Sequence, residues 1–224
     1  ASRRVVHGSV SGMGTDGAVV VTGASGFLGR MAAAVLLAET AAEVLLPIRD
    51  KHKKESVAAA LALELQALGA PAEAMERAHV VPLPPLAQID ALLPIVRQFE
   101  VGTIAHCAGC LSYFNKAKLQ EGNVELTRAL LGLARRAGVG RFIYLSTAFA
   151  SGLVNGPVPE NLHEGDRSDP TEYMRSKRET ERIVASSGIP YVIVRPVIVV
   201  GDSRNGRYSG KPYGLYQLWN AAEK

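Results

Sequence analysis

Tyr173 and Lys177 stand four residues apart in the segment TEYMRSK. On a helix, this spacing places two side chains on the same face. A phenol has a pKa of about 10 and is a poor acid or base at neutral pH, but a neighbouring ammonium favours the phenolate and lowers that pKa. The pair therefore indicates a general acid/base. The alternative is an exposed aromatic beside an ordinary lysine, because Y-x-x-x-K is common by chance.

Two hydroxyl side chains, Ser146 and Thr147, precede this pair in the segment RFIYLSTAFA. They follow an apolar run that is typical of a buried strand, at its carboxyl end. Ligands of doubly wound sheets bind at that end of the strands. A hydroxyl, a phenol and an ammonium that meet there would suit proton transfer to an oxygen atom of a substrate.

Three glycines, Gly23, Gly26 and Gly29, lie between an apolar run and a helical pattern in VVVTGASGFLGRMAAAVLLA. A tight strand-to-helix turn needs residues without Cβ clashes, and a helix N-terminus offers free N–H groups to a phosphate. The spacing G-x-x-G-x-x-G in this context predicts a pyrophosphate site. The alternative is a turn that serves packing alone.

The basic run RDKHKK begins where the second strand should end. Dinucleotide-binding folds place there an acid for the ribose 2′-hydroxyl or an arginine for a 2′-phosphate. If Arg49 faces the cofactor, NADP(H) is preferred; if Asp50 does, NAD(H) is preferred. The basic surroundings favour NADP(H). Arg30 is a candidate for a second phosphate contact, or else a solvated helix residue.

The elements that must position these residues alternate regularly along the chain. Apolar strand candidates occupy 18–23, 43–48, 78–83, 101–109, 141–150 and 191–201, and helical patterns occupy 27–39, 54–70, 86–99, 119–138 and 170–188. Near-continuously apolar strands that alternate with helices predict an α/β fold, a doubly wound parallel sheet covered on both faces.

Composition and charge exclude several functional classes. The 224 residues are 47% hydrophobic and 21% charged, as in an ordinary globular domain. The formal net charge of +4 is mild, and no basic face of the kind that binds nucleic acid is evident. No apolar run has the length of a membrane span. Residues 1–17 are polar and lack the apolar core of a secretory signal, so we expect a flexible arm outside the fold.

Cys107 and Cys110 form a C-x-x-C pair. Such a pair can be redox-active or half of a zinc site, but no second pair exists to complete four ligands. Small residues that pack at the end of a strand are the preferred interpretation, and no metal is predicted. Two cysteines fit a reducing compartment, and we expect a cytoplasmic protein.

Six strings occur in the order expected of a known superfamily: TGASGFLG, HCAG, GNVELT, RFIYLSTA, YMRSK and VIVRPVIVVGDSRNG. They resemble the successive motifs of the extended short-chain dehydrogenase/reductases, from about residue 18 to 210. Within this superfamily, LLPIRD, STA and GDSRNG are similar to the thioester reductases and fatty acyl-CoA reductases.

The resemblance implies roles for individual residues. Tyr173 would be the general acid/base, Lys177 would lower its pKa and hold the ribose, and Thr147 would hydrogen-bond the reacting oxygen, with Ser146 as the alternative. Asn123 matches a position that supports the site. The implied cofactor-binding residues are Gly23, Ala24, Ser25, Gly26, Phe27, Leu28, Gly29, Arg30, Arg49, Lys51, Cys107, Ala108, Gly109, Asn123, Tyr173, Lys177, Pro196, Val197 and Val199.

The implied function is NADP(H)-dependent hydride transfer to an acyl thioester or another carbonyl. NAD(H) is the alternative cofactor. A sugar-nucleotide epimerase or dehydratase and a hydroxysteroid-type alcohol dehydrogenase are alternatives on the same scaffold, and a non-catalytic dinucleotide sensor is a third. The implied partner is a small-molecule substrate, and a homodimer is left open.

The sequence departs from the superfamily in two places. An acid that meets the adenine amine usually follows the third strand, and VVPLPPLAQID offers none there. The resemblance also implies that a substrate domain follows GDSRNG, so we expect a cofactor domain over 18–204 and only the start of a substrate-binding region over 205–224. His106 is interpreted as a structural residue, and His163 as a solvated loop residue. Trp219, Tyr208, Tyr213 and Tyr216 suit a substrate cleft, core packing or an interface.

Overall fold

The chain forms a six-stranded parallel sheet flanked by helices on both faces. The computed structural model describes residues 17–112, 115–163, 169–212 and 214–222, without the side chain of Lys51. The strands are β1 (Val19–Thr22), β2 (Val44–Ile48), β3 (Ala78–Pro82), β4 (Thr103–His106), β5 (Arg141–Leu145) and β6 (Tyr191–Val194). Their spatial order is β3-β2-β1-β4-β5-β6. The predicted doubly wound α/β fold is thus confirmed, and the strand order reverses between β1 and β4, where ligands of such folds bind.

The helices cover the two faces of this sheet. They are α1 (Phe27–Glu39), α2 (Lys54–Ala67), α3 (Leu93–Gln98), α4 (Lys116–Leu119), α5 (Leu126–Ala137), α6 (Glu172–Ala185) and α7 (Leu215–Ala222). One core lies under α1 and α2, and the other lies under α3, α5 and α6. The buried residues of α1, α2, α3, α5 and α6 pack on the sheet and keep the strand ends and their loops in fixed positions, whereas no residue of α7 is buried.

Several predicted elements are shorter or different in form. β5 ends at Leu145 rather than at residue 150, because Thr147 caps a 3-10 turn over Ala148–Ser151. β6 ends at Val194 rather than at 201. Residues 86–92 form a 3-10 helix and only Leu93–Gln98 are α-helical, with Pro94 in the first turn, where a missing N–H costs nothing.

The two outer strands are less covered than their apolar sequences predict. The side chains of β3 are mostly half-buried, and Tyr191, Val192 and Val194 of β6 are each more than 40% exposed. Among the described residues, none of the helices combines the length and the apolar character that crossing a membrane requires.

A π-helical turn over Gln120–Glu125 joins α4 to α5 within one continuous helical run. Gly122, Asn123 and Val124 of this turn are buried. A Cβ on Gly122 would lie only 3.0 Å from Cys110 Cβ, so glycine allows the turn to approach the segment that follows β4. Single π turns often occur at functional sites, and this one lies beside the strand ends described next.

Candidate active site

The glycine loop after β1 is packed too closely for side chains at two of its three glycines. A Cβ on Gly29 would lie 2.4 Å from Gly23 O, and a Cβ on Gly23 would lie 2.7 Å from Ala108 N. Gly23 also has a φ of +79°, which L side chains rarely adopt. A Cβ on Gly26 would meet Gly23 O at a looser 3.3 Å. The loop therefore brings the start of α1 against the end of β1.

The N-terminus of α1 is open to an anion. Its N-cap, Gly26, provides no side-chain hydrogen bond, and the first turn of the helix contains no acidic residue. Helices usually satisfy these first N–H groups with a capping side chain or a ligand. Ser25 and Gly26 are exposed, while Ala24 and Gly29 are buried and Phe27 and Leu28 are half-buried. The loop fits the predicted phosphate group in shape and in electrostatics.

Arg49 and Asp50 separate at the end of β2. Asp50 accepts a hydrogen bond from His52 N at 3.0 Å and closes the short turn over Lys51–Lys53. Arg49 lines a cavity of about 240 Å³ at the carboxyl ends of β2 and β3. Arg49 therefore faces this cavity, whereas Asp50 is engaged in its own turn. The side chain of Lys51 lies outside the described structure.

Arg30 is engaged by other parts of the chain. Its Nε donates to Glu64 Oε1 at 3.1 Å and its Nη2 donates to Ser209 O at 2.9 Å. Arg207 Nη1 donates to the second oxygen of Glu64 at 2.5 Å. Burial tends to raise the pKa of Glu64, but the hydrogen bonds from Ser209, Arg207 and Arg30 outweigh it and hold that pKa below its ordinary value. The Arg30 guanidinium thus joins α1, α2 and the segment after β6, and this geometry does not favour it as a phosphate contact.

Tyr173 and Lys177 lie on one face of α6 and are buried, at 8% and 4% exposure. The helix begins after Thr171, whose hydroxyl accepts from Met174 N at 3.3 Å. Lys177 Nζ donates to Leu145 O at 2.8 Å and lies 4.7 Å from the centroid of the Tyr144 ring. The ammonium is therefore fixed at the carboxyl end of β5, one helical turn from the phenol.

The surroundings of Lys177 lower the pKa of its ammonium group. Burial lowers its pKa from 10.5 to about 8, and the attraction of Cys107 and Glu181 opposes this effect only in part. The ammonium is still the main form at neutral pH, but it is poised to release a proton in mildly alkaline solution.

Ser146 and Thr147 follow β5 directly and are both buried. Thr147 Oγ1 accepts from Phe149 N at 3.3 Å, which leaves its hydroxyl hydrogen free to be donated. Within the described part of the chain, Ser146 Oγ is buried and has no hydrogen-bond partner. Buried hydroxyls normally have one, so both residues remain candidates for binding a substrate oxygen.

Asn123 ties the π turn to the rest of the site. Its Oδ1 accepts from Cys110 N at 2.7 Å, and its Nδ2 donates to Ser176 Oγ at 2.9 Å and to Cys110 O at 3.3 Å. A Cβ on Gly109 would lie 3.2 Å from Asn123 Oδ1 and 3.5 Å from Lys177 Nζ. The amide therefore holds the backbone after β4 beside the lysine.

His106 is satisfied within the core. Its ring nitrogens lie 2.7 Å from Thr22 Oγ1 and 3.0 Å from Thr127 Oγ1. Burial, together with the charge of Lys177, lowers its pKa to about 3. The ring is therefore neutral at pH 7 and structural, as predicted from the sequence.

The C-x-x-C pair follows directly after β4. Cys107 and Cys110 are free, and burial raises the pKa of Cys107 to about 11, although Lys177 acts in the opposite direction. Such a thiol is a weak nucleophile. In the described ranges, no group of three or more His, Cys, Asp and Glu residues could hold a metal ion. Ala108 N, between the cysteines, donates to Thr22 Oγ1 at 3.2 Å.

The stretch after β6 runs next to these strand ends. Pro196 is half-buried and its carbonyl accepts from Ala148 N at 2.9 Å, whereas Val197 and Val199 are exposed. Tyr208 packs edge-on against Phe27 of the glycine loop, with ring centroids 4.9 Å apart, and stacks on Tyr216 at 4.1 Å. Tyr208 thus packs beside Phe27 at the edge of the glycine loop, while Trp219 is 64% exposed. Tyr213 lies outside the described residues.

Sequence reasoning missed the ion pairs that hold α6. Arg178 Nη1 donates to the buried carboxylate of Asp169 at 2.6 Å, and Arg195 Nη2 donates to that of Glu181 at 2.7 Å. The expectation of a solvated His163 is wrong, because this residue is 3% exposed and its carbonyl accepts two hydrogen bonds from Arg182. The interleaved charges of RSKRETER were the only sequence signal of these buried contacts.

The sequence of this chain is similar to those of known proteins. The profile of the NAD dependent epimerase/dehydratase family matches residues 19–221. The dTDP-6-deoxy-L-talose 4-dehydrogenase (NAD(P)(+)) of Kitasatospora kifunensis is 31% identical over 194 residues, which are 84% of this chain and 54% of that protein. An isonitrile lipopeptide synthase of Streptomyces coeruleorubidus is 32% identical over 225 residues, which are 92% of this chain and 14% of that protein. The chain thus spans about half of the first relative and a small part of the second.

Solved structures share the fold. The terminal R domain of the myxalamid PKS-NRPS pathway has a TM-score of 0.70 at 25% identity, over 85% of this chain and 51% of that one. The UDP-glucuronic acid 4-epimerase of Bacillus cereus, solved with NAD, has a TM-score of 0.61 at 23% identity, over 82% of this chain and 57% of that one. These relatives bear out the resemblance to extended short-chain dehydrogenase/reductases and to their thioester reductase branch.

Proposed function

The chain belongs to the NAD dependent epimerase/dehydratase family, and from this premise we propose that it is an NADP(H)-dependent oxidoreductase acting on an acyl thioester or another carbonyl. The observation that carries the proposal is the position of Lys177. Its buried ammonium is bonded to Leu145 O at the end of β5, one turn from the buried Tyr173. Ionisable groups that are buried at a desolvation cost cluster at functional sites, where they can stabilise a charge that forms beside them.

The residues present fit a dinucleotide. The open N-terminus of α1 suits the pyrophosphate. Gly23 and Gly29 pack too closely on neighbouring backbone to carry a side chain, so no side chain at these positions obstructs a ligand. Arg49 faces the cavity at the end of β2, where a 2′-phosphate needs an arginine, while Asp50 is used in its own turn. This arrangement supports NADP(H) over NAD(H).

When bound, the nicotinamide supplies hydride, and the chain supplies proton transfer and orientation. Tyr173 donates its proton to the oxygen that becomes negative as the carbonyl carbon is reduced. With an acyl thioester, the resulting hemithioacetal then releases its thiol and leaves the aldehyde. The Lys177 ammonium stabilises the resulting phenolate, and Thr147, or Ser146, donates a hydrogen bond to the same oxygen. Positioned proton transfer of this kind contributes roughly 10²–10⁴-fold to a rate.

The choice of an acyl thioester as substrate rests on similarity. The structurally similar chains include an R domain of a PKS-NRPS pathway, and one curated relative is a lipopeptide synthase. A specific observation also favours a second candidate, a sugar-nucleotide dehydrogenase or epimerase, because the similarity to the dTDP-6-deoxy-L-talose 4-dehydrogenase covers 84% of this chain.

The test measures loss of NADPH absorbance with a long-chain acyl-CoA and identifies the product by mass spectrometry. We expect aldehyde or alcohol to form, and Tyr173→Phe to abolish turnover with cofactor affinity nearly intact. Tyr191→Phe is the matched control, since Tyr191 is 41% exposed on β6. Turnover unchanged in Tyr173→Phe would refute the mechanism. NADPH binding without consumption would reject the thioester, and sugar nucleotides would then be tested.

A further inference from the structure

The chain after β6 folds back on itself over residues 201–210, here called the 201–210 loop. Gly206 N donates to Asp202 O at 2.7 Å, and Asp202 N donates to Arg207 O at 2.9 Å. A Cβ on Gly201 would lie only 2.7 Å from Arg207 O, so the turn is tightly closed. The loop therefore docks on the rest of the chain as one compact unit.

Glu64 of α2 anchors this loop. Its carboxylate is 1% exposed and accepts hydrogen bonds from two guanidinium groups. Arg30 Nε of α1 lies 3.1 Å from Oε1, and Arg207 Nη1 of the loop lies 2.5 Å from Oε2. Arg30 Nη2 also donates to Ser209 O of the loop at 2.9 Å. Three segments that are far apart in sequence thus meet at one buried carboxylate.

The two arginines differ in how easily they can leave Glu64. The side chain of Arg30 is 11% exposed, and that of Arg207 is 37% exposed. If Glu64 lost its charge, both cations would lose the carboxylate that they share, which is costly for a buried ion. Arg207 can reach water by a small movement, whereas Arg30 is held on α1. Release of the 201–210 loop is therefore the expected response.

The loop contacts the glycine loop through an aromatic pair. Tyr208 lies edge-on to Phe27, with ring centroids 4.9 Å apart, and it stacks on Tyr216 at 4.1 Å. Phe27 is the first residue of α1, and its N–H belongs to the first turn, which offers donors to a phosphate. The contact with Tyr208 therefore restrains the part of the helix that the proposed cofactor site uses.

We propose that Glu64 is a positioning residue for dinucleotide binding: it holds the 201–210 loop on Phe27, and the docked loop holds the first turn of α1 in the form that binds phosphate. This inference rests on the proposed function and adds to it a buried residue outside the phosphate site. A preformed site loses less conformational freedom on binding, so the docked loop favours tighter binding. By reciprocity, a bound dinucleotide favours the docked loop.

The first experiment follows the loop by trypsin digestion of the 224-residue chain, with the fragments identified by mass spectrometry. Trypsin cuts after Arg207 only when this side chain enters the protease, which requires that it leave Glu64. Glu64→Gln should raise the rate of this cut about 10-fold, because such cleavage follows the population of the open form. NADP⁺ should slow the cut in the wild type. Glu55→Gln is the matched control, an exposed glutamate of the same helix, and should leave the rate unchanged.

The second experiment measures NADP⁺ binding by titration calorimetry. Glu64→Gln should bind about 5- to 10-fold more weakly, as expected when the binding-competent form is only fractionally populated. Arg207→Met, which keeps the pair between Glu64 and Arg30, should show a similar loss. The double variant should lose no more than either single variant, because both remove the same contact. A general weakening of the fold would instead make the two losses additive.

Faster cleavage after Arg207 with unchanged NADP⁺ affinity would overturn the inference and leave the proposed function in place. An unchanged cleavage rate in Glu64→Gln, or additive losses in the double variant, would overturn it as well. If Glu64→Gln does not fold, Arg207→Met decides, and an affinity equal to that of the wild type would refute the inference. If NADP⁺ does not bind the wild type, the dinucleotide proposal itself fails, and this inference fails with it.

Discussion

Replacing Lys177 by methionine should remove a pH dependence of stability that a single buried ammonium gives to this chain. Lys177 is 4% exposed, and burial lowers its pKa from 10.5 to about 8. In the unfolded chain, the same group has its ordinary pKa. Methionine has a similar length and carries no charge, so it fills the site without the proton equilibrium.

The sign follows from proton linkage. Below pH 8, both states of the wild type carry the ammonium, and the cost of burying it is fully present. Between pH 8 and 10.5, the folded chain releases its proton before the unfolded chain does. The unfolded state then binds more protons, and stability rises with pH. A shift of two to three pKa units corresponds to a gain of about 3 kcal/mol across this window.

The assay is urea denaturation of wild type and Lys177→Met from neutral pH to above the ordinary lysine pKa. The quantity of interest is the difference between their free energies of unfolding, since other titrating groups cancel in it. It should rise by about 3 kcal/mol in favour of the wild type. Lys118→Met is the control, because Lys118 is exposed on α4 and its difference should stay flat.

A flat difference for Lys177→Met would refute the reasoning. It would mean that the buried ammonium is as stable as one in water, through contacts stronger than the bond to Leu145 O at 2.8 Å. The proposed role of Lys177 as a poised charge would then lose its physical basis.

Four further substitutions test the candidate site. Arg49→Ala should weaken NADPH binding by much more than NADH binding, because the proposed site places this charge against the 2′-phosphate, which NADH lacks; equal losses in calorimetry would assign the discrimination to another residue. Gly29→Ala should abolish dinucleotide binding and Gly26→Ala should reduce it less, since the added Cβ atoms would lie 2.4 and 3.3 Å from Gly23 O; equal effects would argue against a tightly packed loop. Asn123→Ala should lower the free energy of unfolding by about 3 kcal/mol in urea titrations, because it removes hydrogen bonds to the half-buried Cys110 and the buried Ser176; a loss below about 1 kcal/mol would contradict this count.

The fold could be predicted because its signals are local. The apolar runs, the helical spacing and the glycines of the first loop each depend on neighbours in sequence, and together they specify a parallel doubly wound sheet. Element ends were predicted less well. The sequence VIVRPVIVVG continues as an apolar run, but β6 ends at Val194, because strand length depends on pairing with β5.

The catalytic candidates were also readable, since Tyr173 and Lys177 share a helical face through their spacing alone. The sequence by itself thus determined the fold class and identified a candidate acid/base pair. Only the tertiary structure decided which charged side chains bond to other parts of the chain and which line the cavity. Arg30 binds Glu64 from another helix, Asp50 closes its own turn, and Glu121 reaches a cavity formed by distant strands. These outcomes depend on distances between segments far apart in the chain, which packing sets and local sequence does not encode.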